Sequence, residues 1–160
     1  MMRRLLAAAV LAALAGCTTA EYYWQGIRGQ FDLLGRAEPI ASVVGNAADP
    51  VLKNKLERVV AIRNYASREL GLPDNLSYRR YAQLDRRFAL WNVFAAPELS
   101  LKPLQWCFPI AGCVNYRGYF SEAAARAEAA ELAAAGDDVH VGGVPAYSTL
   151  GYFADPMLST

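Results

Sequence analysis

The sequence predicts an α+β fold in which helices flank a mixed sheet, and three features lead to this prediction. Apolar residues recur at helical spacing over residues 22–35 and again over residues 50–70. Aromatic and β-branched residues dominate residues 88–94, as is typical of a strand. A strand pattern, a helix pattern and a second strand pattern follow one another over residues 116–144. Elements of this kind pack as helices against a sheet.

The N-terminus has the organisation of a lipoprotein signal peptide. Two arginines precede the uncharged apolar residues 5–15, a run shorter than the roughly 20 residues that span a bilayer. The run ends in the segment LAGC, which resembles a lipobox, whose cysteine (here Cys17) carries lipid and becomes the new N-terminus. An ordinary signal peptide with an incidental cysteine is the alternative. We predict a lipoprotein signal peptide over residues 1–17, followed by one domain over residues 18–160.

A lipid on Cys17 would anchor the mature protein in the bacterial cell envelope, because each buried methylene contributes about 0.8 kcal/mol. Thr18 follows the cysteine. By resemblance to known lipoproteins, the absence of aspartate at this position favours sorting of the protein to the outer membrane. We therefore expect the protein at the outer membrane, facing the periplasm, with the membrane as its partner through the N-terminal lipid.

The charge balance argues against a nucleic-acid partner. The chain has 16 Lys and Arg against 15 Asp and Glu, and removal of the two signal-peptide arginines leaves 14 basic residues. A nucleic-acid interface needs clustered Lys and Arg. The mature protein has a charge near zero, and we expect no nucleic acid among its partners.

Three cysteines must be assigned. Cys17 is the lipid carrier, which leaves Cys107 and Cys113 as an even pair in an oxidising compartment. We predict a disulfide between them, closed through a loop that contains Pro109 and Gly112. A zinc knuckle is less suited, because five intervening residues exceed the usual two to four. Two free, buried thiols are the remaining alternative.

The first helix pattern covers residues 22–35, with apolar positions at Tyr23, Ile27, Phe31 and Leu34. This stripe would lie either on the membrane or on the protein core. We favour the core, because the segment has no lysine to meet anionic lipid. A short helix over residues 39–44 follows.

The second long helix has clear start and stop signals. Asp49 suits its N-cap, Pro50 suits its first position, and Gly71 followed by Pro73 ends it. Four of its basic residues lie off the apolar stripe, so we expect them on a solvated face: Lys53, Lys55, Arg58 and Arg68.

The middle of the chain is predicted to be rich in strands. Residues 78–84 begin it, and residues 88–94 are apolar on both faces, which predicts cover on both sides. Residues 104–108 and 114–120 are the expected arms of a hairpin, with the disulfide near its turn.

The C-terminal part predicts a helix from Ser121 to a stop at Gly136, and then a strand ending at Gly142 and Gly143. With the strand before it, this helix would form a parallel crossover unit. Asp155 and the proline after it give a further helix start signal, but the sequence stops about one turn later. This predicts an incomplete domain.

The residues by themselves give no complete catalytic or metal site. One histidine, His140, cannot form a two-histidine metal site. No G-x-S-x-G elbow accompanies it, and there is no phosphate-binding glycine loop. We therefore expect His140 to be a solvent-facing strand residue.

Two long segments carry a family resemblance. Residues 104–120 read LQWCFPIAGCVNYRGYF and residues 146–160 read AYSTLGYFADPMLST. Together with the opening YYWQG at residues 22–26, they resemble a bacterial family of zinc aminopeptidase lipoproteins. The resemblance covers essentially the whole mature chain and implies a zincin-like domain that cleaves peptides with a zinc cofactor.

In that family an H-E-x-x-H helix follows the second segment, where two histidines bind zinc and the glutamate activates water. This sequence contains no H-E-x-x-H, so no catalytic or metal-binding residue is carried over. We expect the N-terminal part of an aminopeptidase, unable to bind zinc alone and inactive by itself. A non-catalytic envelope lipoprotein with a binding or scaffolding role is the alternative.

Substrate contact is the function that this part of the family is expected to retain. Residues 140–144 are the candidate for a strand edge that pairs with peptide, since Gly142 and Gly143 would admit another backbone. A glycine turn is the alternative. Arg117 is the other candidate, either for a peptide carboxylate or for a structural Asp or Glu.

Overall fold

A computed structural model of the chain describes residues 2–109, 112–149 and 151–160, and describes side chains from residue 19 onward. Three predicted features fall partly or wholly outside the described side chains: the lipobox at residues 14–17, the hairpin turn at residues 110 and 111, and the second family segment at residue 150. In the part of the chain that the structure describes, no helix has the length and apolar character needed to cross a bilayer.

The fold is α+β, as predicted, but its strands form three small sheets instead of one mixed sheet. The elements in chain order are α1 Met2–Arg36, β1 Ala37–Pro39, α2 Ile40–Asn46, α3 Pro50–Arg68, β2 Arg80–Ala82, β3 Leu90–Pro97, β4 Trp106–Phe108, β5 Gly112–Val114, β6 Arg117–Tyr119, α4 Glu122–Ala134, β7 Asp137–Val144 and β8 Met157–Leu158.

The central sheet has the strand order β6–β3–β7, and β3 is antiparallel to both neighbours. Therefore β6 and β7 run in the same direction, and α4 connects them. The predicted parallel crossover is present, with β3 inserted between its two strands. The second sheet has the order β1–β2–β8, with an antiparallel and a parallel pairing.

The core of the central sheet lies on one of its faces. Val93, Tyr119 and Ala125 are buried there, where α4 packs across the strands. Ser121 caps α4 by accepting a hydrogen bond from the backbone N–H of Ala124 at 3.4 Å. The expectation that residues 88–94 are covered on both faces is wrong at Phe94, which is 39% exposed because α4 covers only the opposite face.

Helix α1 also departs from expectation. Tyr23, Ile27 and Phe31 were predicted to face the core, yet they are 41%, 49% and 65% exposed. The core-facing side is the opposite one, where Leu33 is 1% exposed and joins Leu84 and Ala89. The helical period identified an apolar stripe, but both sides of this helix carry apolar residues, so the period could not give its direction.

A smaller core joins α2, α3 and β2 through Ile40, Leu56 and Tyr81. As predicted, Asp49 caps α3, with its carboxylate accepting a hydrogen bond from the N–H of Val51 at 2.8 Å. Gly71, beyond the end of α3, has φ of +67°, a conformation that glycine adopts without steric cost.

The helix start predicted at Asp155 is wrong. The residues after it form β8, which pairs in parallel with β2. The Asp155 carboxylate is buried and turns back to Thr149, accepting from its backbone N–H at 2.7 Å and its hydroxyl at 2.8 Å. Asp155 therefore closes the preceding loop and caps no helix.

Candidate functional site

On one side the central sheet ends at β7, which has β3 as its sheet neighbour. The other edge of the sheet, at β6, is covered by Gln25 of α1. Gln25 Nε2 donates a hydrogen bond to Gly118 O at 3.3 Å, and its Oε1 accepts one from the N–H of Phe120 at 3.0 Å. No described strand pairs with the outer edge of β7. An open strand edge presents backbone donors and acceptors to an incoming strand.

A groove of about 490 Å³ runs beside this edge, between β7 and α4. Its lining residues are Arg126, Ala129, Ala130, Ala133, Val139, His140 and Val141. The alanines of α4 have short side chains, which leaves the groove open along the strand. The groove therefore gives an extended chain room to reach the β7 backbone.

The two candidate glycines occupy different environments on β7. A Cβ at Gly142 would lie 3.5 Å from His140 Nε2, an ordinary contact on an accessible face. A Cβ at Gly143 would lie 2.3 Å from the ring of Phe88, which packs directly on this glycine. The structure thus gives Gly143 a packing role and leaves Gly142 free for close approach. Both lie within the strand, so the alternative of a glycine turn is wrong.

Aromatic side chains border Gly142 on the accessible sheet face. The Phe94 ring lies 6.4 Å from the exposed His140 ring and 5.9 Å from the Tyr116 ring, measured between centroids. Asn92 lies opposite Gly142 in the sheet. The side-chain oxygen of Asn92, Oδ1, is buried, and no described residue donates a hydrogen bond to it. The accessible surface beside Gly142 is therefore formed by aromatic rings, while the Asn92 acceptor is buried.

Arg117 lies on the other face, away from Gly142. Its Nη1 donates to Glu128 Oε1 at 2.9 Å, and its guanidinium carbon lies 4.2 Å from the Tyr22 ring centroid. Glu128 is therefore the structural carboxylate that was one of the two expected partners. Burial raises the pKa of Tyr22 against the opposing effect of Arg117. Burial, together with the hydrogen bond to Glu128, raises the pKa of Tyr119 more strongly.

The predicted disulfide is present between Cys107 and Cys113, which face each other across β4 and β5. The hairpin is shorter than predicted, because residues 117–119 leave it to form β6 in the central sheet. Phe108 stacks on Tyr22 of α1 at 5.7 Å between ring centroids. The disulfide therefore braces a hairpin that rests on the first helix.

The two segments that carry the family resemblance meet in space. Phe120, at the end of the first, lies edge-on to Tyr147 of the second at 5.8 Å between ring centroids. A Cβ at Gly29 of α1 would lie 2.1 Å from the Phe120 ring, so α1 approaches this ring closely. The sequence did not indicate Gly29, because its role depends on a contact between distant segments. It indicated Asp155, but as a helix start instead of the residue that closes the loop back to Thr149.

The described residues do not fit the zinc ion that the resemblance implies. Within residues 19–109, 112–149 and 151–160, no three His, Cys, Asp or Glu side chains converge on a point that could hold a metal. Cys107 and Cys113 are joined to each other, and His140 is exposed beside Phe94.

Comparison with known proteins identifies the family. No curated protein and no solved structure matches the chain. The family described as Putative aminopeptidase matches residues 21–160, which include every element from β1 to β8 and most of the length of the chain. The chain therefore belongs to this aminopeptidase family.

Proposed function

We propose that this chain is the peptide-binding part of a zinc-dependent aminopeptidase of the bacterial cell envelope. The observation that carries the proposal is the β7 edge, which lies open beside an alanine-lined groove in a chain of the aminopeptidase family. A peptide would add to this edge as a further strand, with backbone hydrogen bonds supplying affinity.

The two edges of the central sheet support this choice. Gln25 already satisfies backbone groups at the β6 edge, so a peptide cannot pair there without displacing it. At β7, Gly142 has no side chain that could clash with a side chain of the added strand. The Cβ atoms of directly opposed residues in neighbouring strands lie about 5 Å apart, so a side chain at this position would be close to the peptide. Arg117 is held by Glu128 and faces away from the β7 edge, so we expect it to make no contact with peptide.

Zinc would be bound by residues that are not among residues 1–160, because this sequence has one histidine and the family motif needs two. The chain described would then orient the peptide, while the hydrolytic groups come from further sequence. Cys17 would carry the lipid that anchors the protein, with the domain facing the periplasm at the outer membrane.

A peptide titration tests the β7 edge. We expect a short peptide with a free amino terminus to shift the backbone amide NMR signals of residues 137–144. Gly142→Val should weaken binding about tenfold, equivalent to about 1.4 kcal/mol. Gly142→Ala is the matched control and should bind nearly as the wild type, since a methyl group meets only ordinary contacts.

A second set of peptides separates strand addition from other binding. Each peptide carries one N-methylated backbone nitrogen. Because a strand edge bonds alternate residues, affinity should fall at every second position. Equal losses at all positions, or shifts confined to residues outside β7, would contradict the proposal.

The coding DNA beyond the codon for Thr160 tests the zinc dependence. If the frame continues into H-E-x-x-H, the whole product should hydrolyse aminoacyl substrates when zinc is present, and Gly142→Val should raise its KM. A stop codon, with no displaced copy of the motif downstream, would end the peptidase assignment for this product.

The second candidate function is that of a non-catalytic envelope lipoprotein with a binding or scaffolding role. The β7 edge, with which no described strand pairs, favours it, since strand addition needs no catalytic group. Peptide binding at β7 combined with a stop codon after Thr160 would select this function over the peptidase.

A further inference from the structure

Helix α1 carries an outer stripe, formed by Tyr23, Trp24, Ile27 and Phe31, that the rest of the domain leaves largely exposed. The Tyr23 ring meets the β4–β5 hairpin, where it lies edge-on to Phe108 at 6.3 Å between ring centroids. The four side chains of the stripe are 41%, 59%, 49% and 65% exposed. Residues at these spacings lie on one side of an α-helix. The outer stripe is therefore a continuous apolar surface rather than a set of scattered exposed residues.

The opposite side of α1 is fixed to the domain. Tyr22 stacks on Phe108 and lies under the guanidinium of Arg117. Gln25 bonds the edge of β6 through both atoms of its amide, and Leu33 is fully buried. Because these contacts span several turns, the helix cannot rotate to bury the outer stripe without breaking them.

The position of the outer stripe relative to Cys17 indicates what covers it. Trp24 and Phe31 are seven and fourteen residues beyond Cys17, and α1 is continuous over this segment. Seven residues are nearly two helical turns, so these positions share one side of the helix. Trp24 and Phe31 lie about 10 Å and about 20 Å from position 17 along the axis, at 1.5 Å per residue.

The composition of the outer stripe suits a lipid interface. Tyr and Trp have an apolar ring and a polar group, and they concentrate at the level of the lipid headgroups. Ile27 and Phe31 add apolar surface farther along the helix. There is no lysine in the segment, and Arg28 is its one exposed basic residue before Arg36, so attraction to anionic lipid is not the main contribution.

We propose that α1 lies along the membrane surface, with the outer stripe seated among the lipid headgroups of the leaflet that holds the lipid on Cys17. The inference rests on the lipid attachment proposed above. In this arrangement the domain contacts the membrane twice, through the lipid on Cys17 and through the outer stripe. The contact through the outer stripe fixes which side of the domain faces the bilayer.

Fluorine NMR on the lipid-modified protein tests the arrangement. The three tryptophans are replaced metabolically by 5-fluorotryptophan, and the protein is placed in phosphatidylcholine vesicles that contain nitroxide-labelled lipid. We expect strong broadening of the Trp24 signal and little broadening of the Trp91 signal, because Trp91 is partly buried against the core of the central sheet, away from the outer stripe. Trp24→Phe and Trp91→Phe assign the two signals.

Two outcomes would overturn the inference, and vesicle flotation separates them. If the protein floats with the vesicles while the Trp24 signal stays sharp, the lipid anchor stands and the interfacial helix fails. If the protein does not float, both fail. As a second variant, Ile27→Gln with Phe31→Gln should reduce the broadening of Trp24 without preventing flotation, since both side chains are exposed and their loss leaves the core intact.

Discussion

Arg63 shows how a single residue can join a helix to the segment that follows it. It lies in α3 with 8% exposure, and its guanidinium donates to Ser77 O at 3.0 Å, Ser67 Oγ at 2.6 Å and Asn75 Oδ1 at 3.1 Å. It also donates to the carbonyl of Pro73. A buried charge is tolerated only when its donors find partners, and here most of them do.

Replacement of Arg63 should therefore destabilise the protein. We expect Arg63→Ala to lower the free energy of unfolding by about 2–3 kcal/mol, because carbonyl oxygens near the helix lose charged donors. Urea denaturation followed by circular dichroism measures this. Arg58→Ala, at an exposed position of the same helix, is the control and should change stability by no more than about 0.5 kcal/mol. Equal losses in both variants would show that the guanidinium network is unimportant.

At the residue scale, sequence reasoning succeeded where the partner is local. The caps Asp49 and Ser121 were predictable because each accepts from an N–H two or three residues away. Arg63 was not recognised, and Asp155 was wrongly assigned to a helix start. Arg63 bonds the loop after α3, and Asp155 folds back on Thr149, and neither partner follows from a periodic pattern.

Among the elements, the β4–β5 hairpin depends most clearly on a covalent bond. Its two strands form a separate sheet of three residue pairs, braced by the disulfide at the central pair. The chain-entropy treatment of so short a loop gives a stabilisation of about 2 kcal/mol.

We expect Cys107→Ser with Cys113→Ser to lower the free energy of unfolding by about 2 kcal/mol, through loss of that constraint on the unfolded chain. A thiol reductant should lower the stability of the wild type by a similar amount and leave the double variant unchanged. Comparison of the four denaturation curves measures both effects. A reductant effect on the double variant would point to a cause other than this disulfide.

Element positions were more predictable than element environments. The helices over residues 22–35, 50–68 and 122–134 and the crossover around α4 follow from local patterns. The open β7 edge does not, because it depends on β3 pairing with β6 on one side and β7 on the other. Gly142 was identified as a place for close approach, but the packing of Phe88 on Gly143 needed the folded chain.

Across the whole molecule, tyrosines link the packing to alkaline stability. Burial raises the pKa of Tyr22, Tyr119 and Tyr147 above the ordinary value of 10.0. A group with a raised pKa in the folded state holds its proton more tightly there than in the unfolded chain. Its contribution is complete below pH 10 and is lost as the pH rises through the folded-state pKa.

We therefore expect the free energy of unfolding to fall above pH 10. Tyr119 alone should contribute a slope of about 1.4 kcal/mol per pH unit, the value for one proton difference between the two states. Denaturant titrations between pH 9 and pH 12 measure the slope. Tyr119→Phe should reduce it by about that amount, whereas Tyr152→Phe, at a highly exposed position, should leave it unchanged. An unchanged slope in Tyr119→Phe would contradict the assignment.

The insertion of β3 between β6 and β7 has a consequence for how the chain reaches its fold. During synthesis β3 is complete before either neighbour exists, and its register pairs Leu90 with Val144 and Pro97 with Asp137. Contacts between residues so far apart in sequence form late and slowly. An apolar strand with two unsatisfied edges therefore persists until α4 and β7 have followed it, and during that interval the chain is most exposed to aggregation and to holding chaperones.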